Sequence, residues 1–493
     1  MLNKKIPKEI KNIAAVLAKN GYSAYLVGGC VRDILRGIVP KDYDIATDAR
    51  PEETLKLFSD SKYENEFGTV LVKTDSTDDA LKVVEVTTFR IEGKYSDYRH
   101  PEEVKFAKTI EEDLSRRDFT VNAMAMDTEG GVIDPHGGEA DLKKKVIRAV
   151  GEPDTRFNED ALRLMRAVRF STELSAEGGP ASGWEIEKKT LEAVERRAKL
   201  LAEIAEERVR EELVKMLMTP RAADGIFLLE KTGLLEYVIP ELREGIGCAQ
   251  NKHHVYEVFE HNVRALEYAA QSGYPFEVRL ASLLHDIGKP RTKRGEGENA
   301  TFHGHEVVGA RMTKEIMRRL KFSHLMTERV RHLVRYHMFY YNVDEVSEAG
   351  VRRFIARVGE ENIDDILKVR EADRIGSKVP KAFPYKLRHL VFMIEKVRHD
   401  PVHPKMLTLK GDDVMKILNV PAGPKIGQLL FILLEEVLDD PERNTKEYLE
   451  KRVKQLGKCT DEELHALTKK AKERSRAAEE EIEGEMKRRH RVS

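Results

Sequence analysis

Two glycines and two aspartates near the start of the sequence have the types and spacing needed for phosphate chemistry. Gly28 and Gly29 follow a short apolar run, so the backbone can approach a phosphate there and a following helix start can offer free N–H groups. Arg32 could add a charge-assisted contact to a triphosphate. Asp42 and Asp44 would face the same way on a strand and repel each other unless a cation lies between them. Mg²⁺ prefers such oxygen ligands, and two-metal chemistry would activate an attacking hydroxyl and support a leaving pyrophosphate.

Each of these patterns, taken alone, is also typical of a turn or a solvated acidic loop. Their order along a strand, a turn and a helix favours a site for nucleotidyl transfer. Glu85 is a candidate third carboxylate if its strand lies beside the Asp42 strand, and it could equally be a charge on an edge strand.

A third pattern, in residues 159–169, could recognise a base. On a helix, Asp160 and Arg163 are neighbours on one surface. Their carboxylate and guanidinium would match the amino group and adjacent acceptor that cytosine and adenine present and that uracil and guanine do not. Arg166 and Arg169 continue the same ridge and could meet phosphates. The alternative is an ordinary salt bridge between residues i and i+3.

Six histidines and aspartates in the middle of the chain form a candidate metal centre. His261, His285, Asp286 and Asp373 combine imidazole with carboxylate, a set that suits Mn, Fe, Ni or Zn better than Mg alone. His305 and His337 could complete a second metal position. Several other histidines are close in sequence and blur the assignment, namely His253, His254 and His303. A lone His-Asp dipeptide would more often be a core histidine with its hydrogen bonds satisfied.

The elements that must position these residues change character along the chain. Residues 7–20 predict an amphipathic helix, residues 25–27 a strand, and residues 70–90 two strands around a polar turn. From residue 159 onward the pattern is almost entirely helical, interrupted by a loop at 175–183, and residues 426–438 predict a buried helix.

Composition restricts the class of protein. The 493 residues include 85 basic and 86 acidic side chains, so any phosphate-binding surface must be local. Three widely separated cysteines, the absence of a signal-peptide pattern and the absence of a long apolar run predict an intracellular, cytoplasmic protein without a membrane span.

Over residues 20–220 the chain resembles bacterial tRNA nucleotidyltransferases, class II of the polymerase-β-type nucleotidyltransferase superfamily. Besides the glycine and aspartate motifs, the resemblance is carried by 85–90 (EVTTFR), 94–106 as the family's flexible loop, 116–123 (RRDFTVNA), 159–163 (EDALR) and 207–213. It implies that CMP and AMP are added from CTP and ATP to the 3′ end of tRNA without a template strand. It also implies that Asp42 and Asp44 hold Mg²⁺ as the catalytic residues. The nucleotide-binding residues that it implies are Gly29, Arg32, Arg117, Asp160, Arg163, Arg166 and Arg169.

The ordered histidines and aspartates resemble the HD superfamily, an all-helical metal fold, and imply phosphohydrolase activity. Residues 408–446 resemble the tail of HD-containing CCA-adding enzymes. Three lysines there, Lys410, Lys416 and Lys425, could touch RNA phosphates or could be ordinary solvated lysines.

The predicted fold is therefore α+β, with a small mixed sheet followed by helices. The predicted domains are a nucleotidyltransferase head (1–150), a helical neck (151–244), an HD metal-binding domain (245–400), a tRNA-binding region (401–458) and a charged tail (459–493).

Several alternatives can be weighed at the level of the sequence. Family members that add only CC lack the flexible loop, which residues 94–106 retain, whereas members that add only A or poly(A) are not excluded. An HD phosphohydrolase with an RNA-binding head is opposed by the intact Asp42 and Asp44 pair.

Overall fold

The computed structural model describes residues 6–65, 68–92, 104–176, 183–250, 255–339, 341–343, 345–379 and 381–471. The chain divides into two compact units. The first comprises the chain up to Arg243 together with Ile316–Phe322, and the second comprises Glu244–Glu315 and the chain from Ser323 onward. The division after Arg243 lies one residue before the boundary proposed at 244/245.

The first unit is built on a seven-stranded mixed sheet in the order β3-β4-β5-β2-β1-β8-β9. Its strands are β1 (Ala24–Val27), β2 (Asp44–Thr47), β3 (Ser61–Asn65), β4 (Thr69–Lys73), β5 (Val83–Thr88), β8 (Ala125–Met126) and β9 (Val132–Ile133). Two small two-stranded sheets pair β6 (Arg90–Glu92) with β7 (Val104–Phe106) and β10 (Val146–Ile147) with β11 (Glu185–Ile186). Within the main sheet, β2 runs antiparallel to β1 and parallel to β5.

Helices cover the sheet and continue the first unit. They are α1 (Lys8–Lys19), α2 (Gly29–Arg36), α3 (Pro51–Leu57), α4 (Ile110–Ser115), α5 (Gly138–Lys144), α6 (Pro153–Glu159), α7 (Leu162–Ala176), α8 (Lys188–Arg197), α9 (Glu206–Leu217), α10 (Ala222–Lys231), α11 (Leu235–Val238) and α12 (Pro240–Arg243). The spacing of α1 explains its position, since Ile10, Ile13 and Leu17 recur on one face and are buried in the same core as β1 and β2.

The second unit is helical throughout its described part, apart from an isolated bridge between Arg294 and Thr301. Its helices are α13 (Val258–Gln271), α14 (Phe276–Leu284), α15 (Lys289–Thr292), α16 (His305–Arg319, which continues into the first unit), α17 (His324–Tyr336), α18 (Glu348–Val358), α19 (Ile363–Gly376), α20 (Tyr385–Val397), α21 (Gly411–Leu418), α22 (Pro424–Asp439) and α23 (Lys446–Leu456).

The predicted fold class is confirmed. The expected first helix is α1, the expected strands are β1, β4 and β5, and the apolar stretch at 426–438 lies within α22. The expected loop at 175–183 and the charged tail fall largely outside the described residues. None of the described helices has the length and apolar character needed to cross a membrane.

Candidate functional sites: a carboxylate cluster and a histidine cluster

The turn between β1 and α2 brings backbone against two functional side chains. Gly28 has a φ of +75°, a conformation that favours glycine. A Cβ atom at Gly28 would lie 3.1 Å from Nη1 of Arg117 and 3.6 Å from Oδ2 of Asp44. Of the two expected glycines, Gly28 is the one whose backbone lies against these side chains. Gly29 is the first residue of α2, a position whose N–H has no acceptor within the helix itself.

Three carboxylates gather beside this turn. Asp44 begins β2, opposite Val27 of β1 and level with Glu85 of the parallel strand β5. Asp42 precedes the strand instead of lying on it, which corrects the expectation that both aspartates are strand residues. The expected alternation still holds, since Asp42 is exposed, Tyr43 is buried and Asp44 is half-buried.

Burial and mutual repulsion raise the pKa values of two of these carboxylates, Asp44 and Glu85. Burial, Glu85 and Asp42 raise the pKa of Asp44 to about 7, against an opposing effect of Arg117. The pKa of Glu85 is also raised, by loss of surrounding water and by Glu64 and Asp42. A divalent cation would relieve this repulsion, and carboxylates are oxygen ligands of the kind it prefers, but the oxygens of these three residues do not all lie within 4.8 Å of one another.

Arg32 lies in a buried chain of hydrogen bonds. Its Nη1 donates to Oδ1 of Asn122 at 2.8 Å, and its Nε donates to Asp33 at 2.8 Å. Nδ2 of Asn122 donates to Oδ1 of Asp118 at 3.3 Å, and Nε of Arg166 donates to Oδ2 of Asp118 at 2.7 Å. These hydrogen bonds therefore connect α2 to α7.

Asp118 is the charged centre of this chain. Its burial would raise the pKa, but Arg166 and Arg163 lower it to about 2. Asp113 plays a similar part beside it, with Nη2 of Arg117 at 3.1 Å and Nη2 of Arg116 at 2.9 Å from its carboxylate. These aspartates were not singled out from the sequence as site residues. A signal was present, because RRD places an aspartate directly after two arginines.

The geometry expected for Asp160 and Arg163 is wrong. Helix α6 ends at Glu159 and α7 begins at Leu162, so Asp160 lies in the break with extended φ and ψ of −139° and 104°. Its carboxylate accepts from the backbone N–H of Leu162 and from both Nη atoms of Arg208 on α9, at 3.2 and 2.9 Å. The i,i+3 ridge is absent because the chain leaves the helix between the two residues.

Arg163 is held by other acceptors. Nη1 donates to Oε2 of Glu159 at 2.7 Å and to the carbonyl of Arg156 at 3.0 Å, and Nη2 donates to the carbonyl of Arg116 at 2.9 Å. Only 8% of Arg163 is exposed. Its guanidinium is thus fixed in orientation beside the 116–118 segment.

Arg166 and Arg169 are engaged with carboxylates rather than pointing freely from the helix. Besides Asp118, Arg166 has Glu212 of α9 at 3.8 Å. Arg169 is buried and donates to both Glu212 and Glu173. Arg169 in particular is placed to join α7 to α9, which differs from the expected phosphate contact.

In the second unit, four of the expected ligands meet at one point. Nε2 of His261, on α13, lies 2.9 Å from Nε2 of His285 at the end of α14. It also lies 3.2 Å from Oδ2 of Asp286 and 3.4 Å from Oδ1 of Asp373, on α19. Two ligands that each bind a metal at about 2.1 Å lie about 3.0–3.5 Å apart, so these separations fit one shared ion.

The other oxygen of Asp286 faces a second pair of histidines. Nε2 of His305 lies 3.2 Å and Nε2 of His337 lies 3.6 Å from Oδ1 of Asp286. Among the described residues, the groups of three or more potential ligands within 4.8 Å of one another are His261 with His285 and Asp286, and Asp286 with His305 and His337. Asp286 thus belongs to both positions. His303 is exposed, while His253 and His254 lie outside the described residues.

Backbone carbonyls set the orientation of three of these rings. Nδ1 of His285, His305 and His337 lies 2.7 Å from the carbonyls of Ser282, Phe302 and Val334 respectively. Each Nδ1 therefore carries a proton, and the Nε2 atoms of His305 and His337 are turned toward the carboxylate of Asp286. Nε2 of His305 and of His337 is buried without a hydrogen-bond partner among the described residues. A buried imidazole nitrogen that faces a carboxylate is satisfied by a proton or by a metal ion between the two, so the arrangement fits a metal site.

Charge in this cluster is arranged around the two aspartates. Burial would lower the pKa of His285, but Asp286 and Asp373 raise it to about 10. At His337 burial prevails and lowers the pKa to about 4. Lys289, which sequence reasoning did not assign, is buried with its Nζ 2.5 Å from Oδ2 of Asp286 and 2.6 Å from Oε1 of Gln250.

The lysines expected to meet RNA in the C-terminal part have protein partners in two cases. Nζ of Lys410 donates to the carbonyls of Lys405 and Leu407, and Lys425 pairs with Asp461 at 3.1 Å. Lys416 is exposed.

Comparison with known proteins matches three segments of the chain to protein families. Residues 24–148 match the family described as Poly A polymerase head domain, 183–246 the probable RNA and SrmB-binding site of polymerase A, and 254–377 the HD domain. The A-adding tRNA nucleotidyltransferase of Deinococcus radiodurans is 36% identical over 429 residues, covering 84% of this chain and 91% of that one. The CCA-adding enzyme of Enterococcus faecalis is 32% identical over 459 residues, covering 90% and 95%.

A solved structure agrees with these sequences. The crystal structure of Bacillus stearothermophilus CCA-adding enzyme in complex with CTP matches with a TM-score of 0.65 and 27% identity, over 91% of this chain and 98% of that one. The chain therefore belongs to the tRNA nucleotidyltransferase family, with an HD domain following the nucleotidyltransferase head.

Proposed function

We propose that this enzyme adds CMP and AMP, from CTP and ATP, to the 3′ end of tRNA and so builds and repairs the CCA terminus. The observation that carries the proposal is the cluster of Asp42, Asp44 and Glu85 beside the Gly28 turn, with Arg117 against the same glycine. Similarity over 95% of the Enterococcus CCA-adding enzyme, and to a CCA-adding enzyme in complex with CTP, supports both nucleotides as substrates.

The reaction joins the RNA 3′ oxygen to the α-phosphorus of the nucleotide and releases pyrophosphate. Asp42 and Asp44, with Glu85, are the residues that would hold Mg²⁺, which supplies charge for the attacking oxygen and the leaving group when bound. The N-terminus of α2 and the guanidinium groups of Arg32 and Arg117 bind the triphosphate. Because Arg32 is already bonded to Asn122, its position is set before the nucleotide arrives.

Base choice is assigned to Asp160 and Arg163. Their acceptor and donor groups are satisfied by Arg208, by Glu159 and by backbone carbonyls. A base that has an amino group beside an acceptor would displace these partners and re-form the same hydrogen bonds. Uracil or guanine would displace the partners without replacing every hydrogen bond, at a cost of about 1–3 kcal/mol for each polar group left unpaired. Arg166 and Arg169 serve here by holding α7 against Asp118 and Glu212.

A second candidate is addition of A alone. It is favoured by the Deinococcus relative, which is A-adding and similar over 91% of its length. The residues implied as the flexible loop, 94–106, do not decide the matter, since most of them lie outside the described residues.

The deciding experiment offers three tRNA substrates, ending before CCA, after C and after CC, with each labelled nucleotide alone and in pairs. Full CCA addition predicts CMP incorporation on the first two and AMP incorporation on the third. AMP incorporation on the CC-ending tRNA without any CMP incorporation would establish the A-adding activity. Incorporation of long adenylate runs on all three would contradict both.

For the HD domain, the proposal is a two-metal phosphohydrolase centre. His261, His285, Asp286 and Asp373 would hold one ion, and Asp286, His305 and His337 the other. The imidazole-rich set favours Mn, Fe, Ni or Zn. Such ions act as Lewis acids on a phosphoryl oxygen.

A further inference from the structure

We propose that one face of α20, together with Phe383 just before it, is a second RNA-binding surface, on which unpaired bases stack. The proposal rests on tRNA being the substrate. The surface lies outside residues 401–458, the region in which the sequence predicts RNA contacts. Phe383, Tyr385 and Phe392 are 38%, 61% and 57% exposed. Three aromatic side chains so exposed within ten residues of sequence favour a binding partner, because large apolar rings are usually buried.

The rings form an ordered row. Tyr385, His389 and Phe392 follow the i, i+4, i+7 spacing of one helix face. The ring centroid of His389 lies 5.9 Å from those of Tyr385 and Phe392 and 5.9 Å from that of Tyr341. The hydroxyl of Tyr341 is hydrogen bonded to Nδ1 of His389, which fixes the central ring. The row is therefore held in place before any partner binds.

Charge selects the kind of partner. Lys381, Lys386 and Arg388 are exposed and form no ion pair with the described residues. They differ in this from Lys410 and Lys425, which are engaged with carbonyls and with a carboxylate. Free cations interleaved with exposed rings match a nucleic acid, whose phosphates meet the cations while its bases stack on the rings. An apolar protein partner would not require the unpaired positive charge.

The test measures binding of the full-length protein to tRNA lacking its terminal A, without nucleotide, so that it is independent of whether transfer occurs. The main variant is Tyr385→Leu with Phe392→Leu, which keeps apolar area but removes the aromatic faces. Since each stacked base contributes about 1–3 kcal/mol, we expect Kd for tRNA to rise on the order of tenfold or more. The conservative pair Tyr385→Phe with Phe392→Tyr should bind as the parent does.

Two matched controls sharpen the reading. Leu325→Ser changes a residue that is 82% exposed but has no π face, and should leave Kd for tRNA unchanged. A fully paired RNA duplex, which has no unpaired bases to stack, should bind the double Leu variant and the parent alike.

Lys386→Gln should weaken binding to tRNA and lower the dependence of log K on log salt.

The proposal is overturned if the double Leu variant keeps the parent's affinity for tRNA. It is equally overturned if the double Leu variant loses duplex binding to the same extent, because stacking would then not be the cause. If Tyr385→Ala with Phe392→Ala leaves Kd for tRNA unchanged but abolishes self-association in sedimentation, the face is an interface between copies of this chain.

Discussion

The carboxylate cluster and the histidine cluster illustrate two ways of preparing a site for cations. In the histidine cluster, His261, His285 and Asp286 are almost fully buried, and three of the six rings and carboxylates are oriented by backbone carbonyls. In the carboxylate cluster, Asp42 is exposed and Asp44 half-buried. The histidine cluster is therefore closed off from solvent, whereas the carboxylate cluster is an open site with one carboxylate exposed to solvent.

The two clusters also differ in the positively charged side chains that lie beside their carboxylates. Lys289 and Arg370 neutralise the aspartates of the histidine cluster, at 2.5 Å from Asp286 and 2.6 Å from Asp373. In the carboxylate cluster, burial, Glu85 and Asp42 outweigh the single nearby cation, Arg117, and the pKa of Asp44 is raised to about 7. A site that leaves its charge uncompensated is suited to a metal that arrives with a charged substrate.

The largest expected effect is at the open site. Asp44→Asn keeps the shape of the side chain but removes its charge, so nucleotide addition should fall on the order of a thousandfold or more. Single-turnover transfer to tRNA lacking its terminal A measures it. Asp48→Asn, on an exposed aspartate after the same strand, is the control and should retain activity. Transfer by Asp44→Asn at the parent's rate would show that the metal is held elsewhere.

The second prediction separates the two sites. His285→Ala with Asp286→Ala removes ligands from both positions of the histidine cluster, so bound transition metal and any phosphatase or phosphodiesterase activity should be lost. Nucleotide addition should be retained, because its carboxylates are elsewhere. Elemental analysis and transfer assays on one preparation check both. Unchanged metal content would place the ligands outside this cluster, and lost transfer would show that the sites are coupled.

The third prediction concerns discrimination between bases. Asp160→Ala should reduce use of CTP and ATP and let UTP and GTP compete, with a change in preference of about five- to a hundredfold. Competition among the four nucleotides on the parent and variant measures it. Asp154→Ala, at a residue of α6 paired with Arg196 and Arg197, is the control. If the preference survives in Asp160→Ala, base choice comes from other groups or from the bound RNA.

The smallest effect concerns the charge-paired network behind the open site. The folded-state pKa of Asp118 is lowered from 3.8 to about 2, so its contribution to stability is present above pH 3.8 and is lost as the pH falls through 2. The shift corresponds to about 2 kcal/mol. Acid unfolding of Asp118→Asn should therefore depend less on pH than that of the parent between pH 4 and 2. An unchanged pH dependence would assign acid sensitivity to other carboxylates.

Much of the fold and of both sites could be predicted because the signals are local. The strand–glycine–helix sequence around Gly28, the alternation of Asp42 and Asp44, and the helical spacing of α1 each depend on neighbouring residues. The histidine cluster was predicted residue by residue, including His305 and His337, through an ordered motif, although its spatial form was not. One expectation that failed was the helical Asp160 and Arg163 pair, because no glycine or proline signals the break between α6 and α7 at that point.

By itself, the sequence determined which groups are available and which elements carry them, because backbone conformation and periodicity are set over a few residues. Tertiary structure alone decided their partners. Arg208 meets Asp160 from 48 residues away, Arg166 meets Asp118 from the same separation, and Lys289 meets an aspartate whose second oxygen faces His305 and His337. Burial then determined what those partners do, since a charge removed from water must be paired with an opposite charge, a proton or a metal.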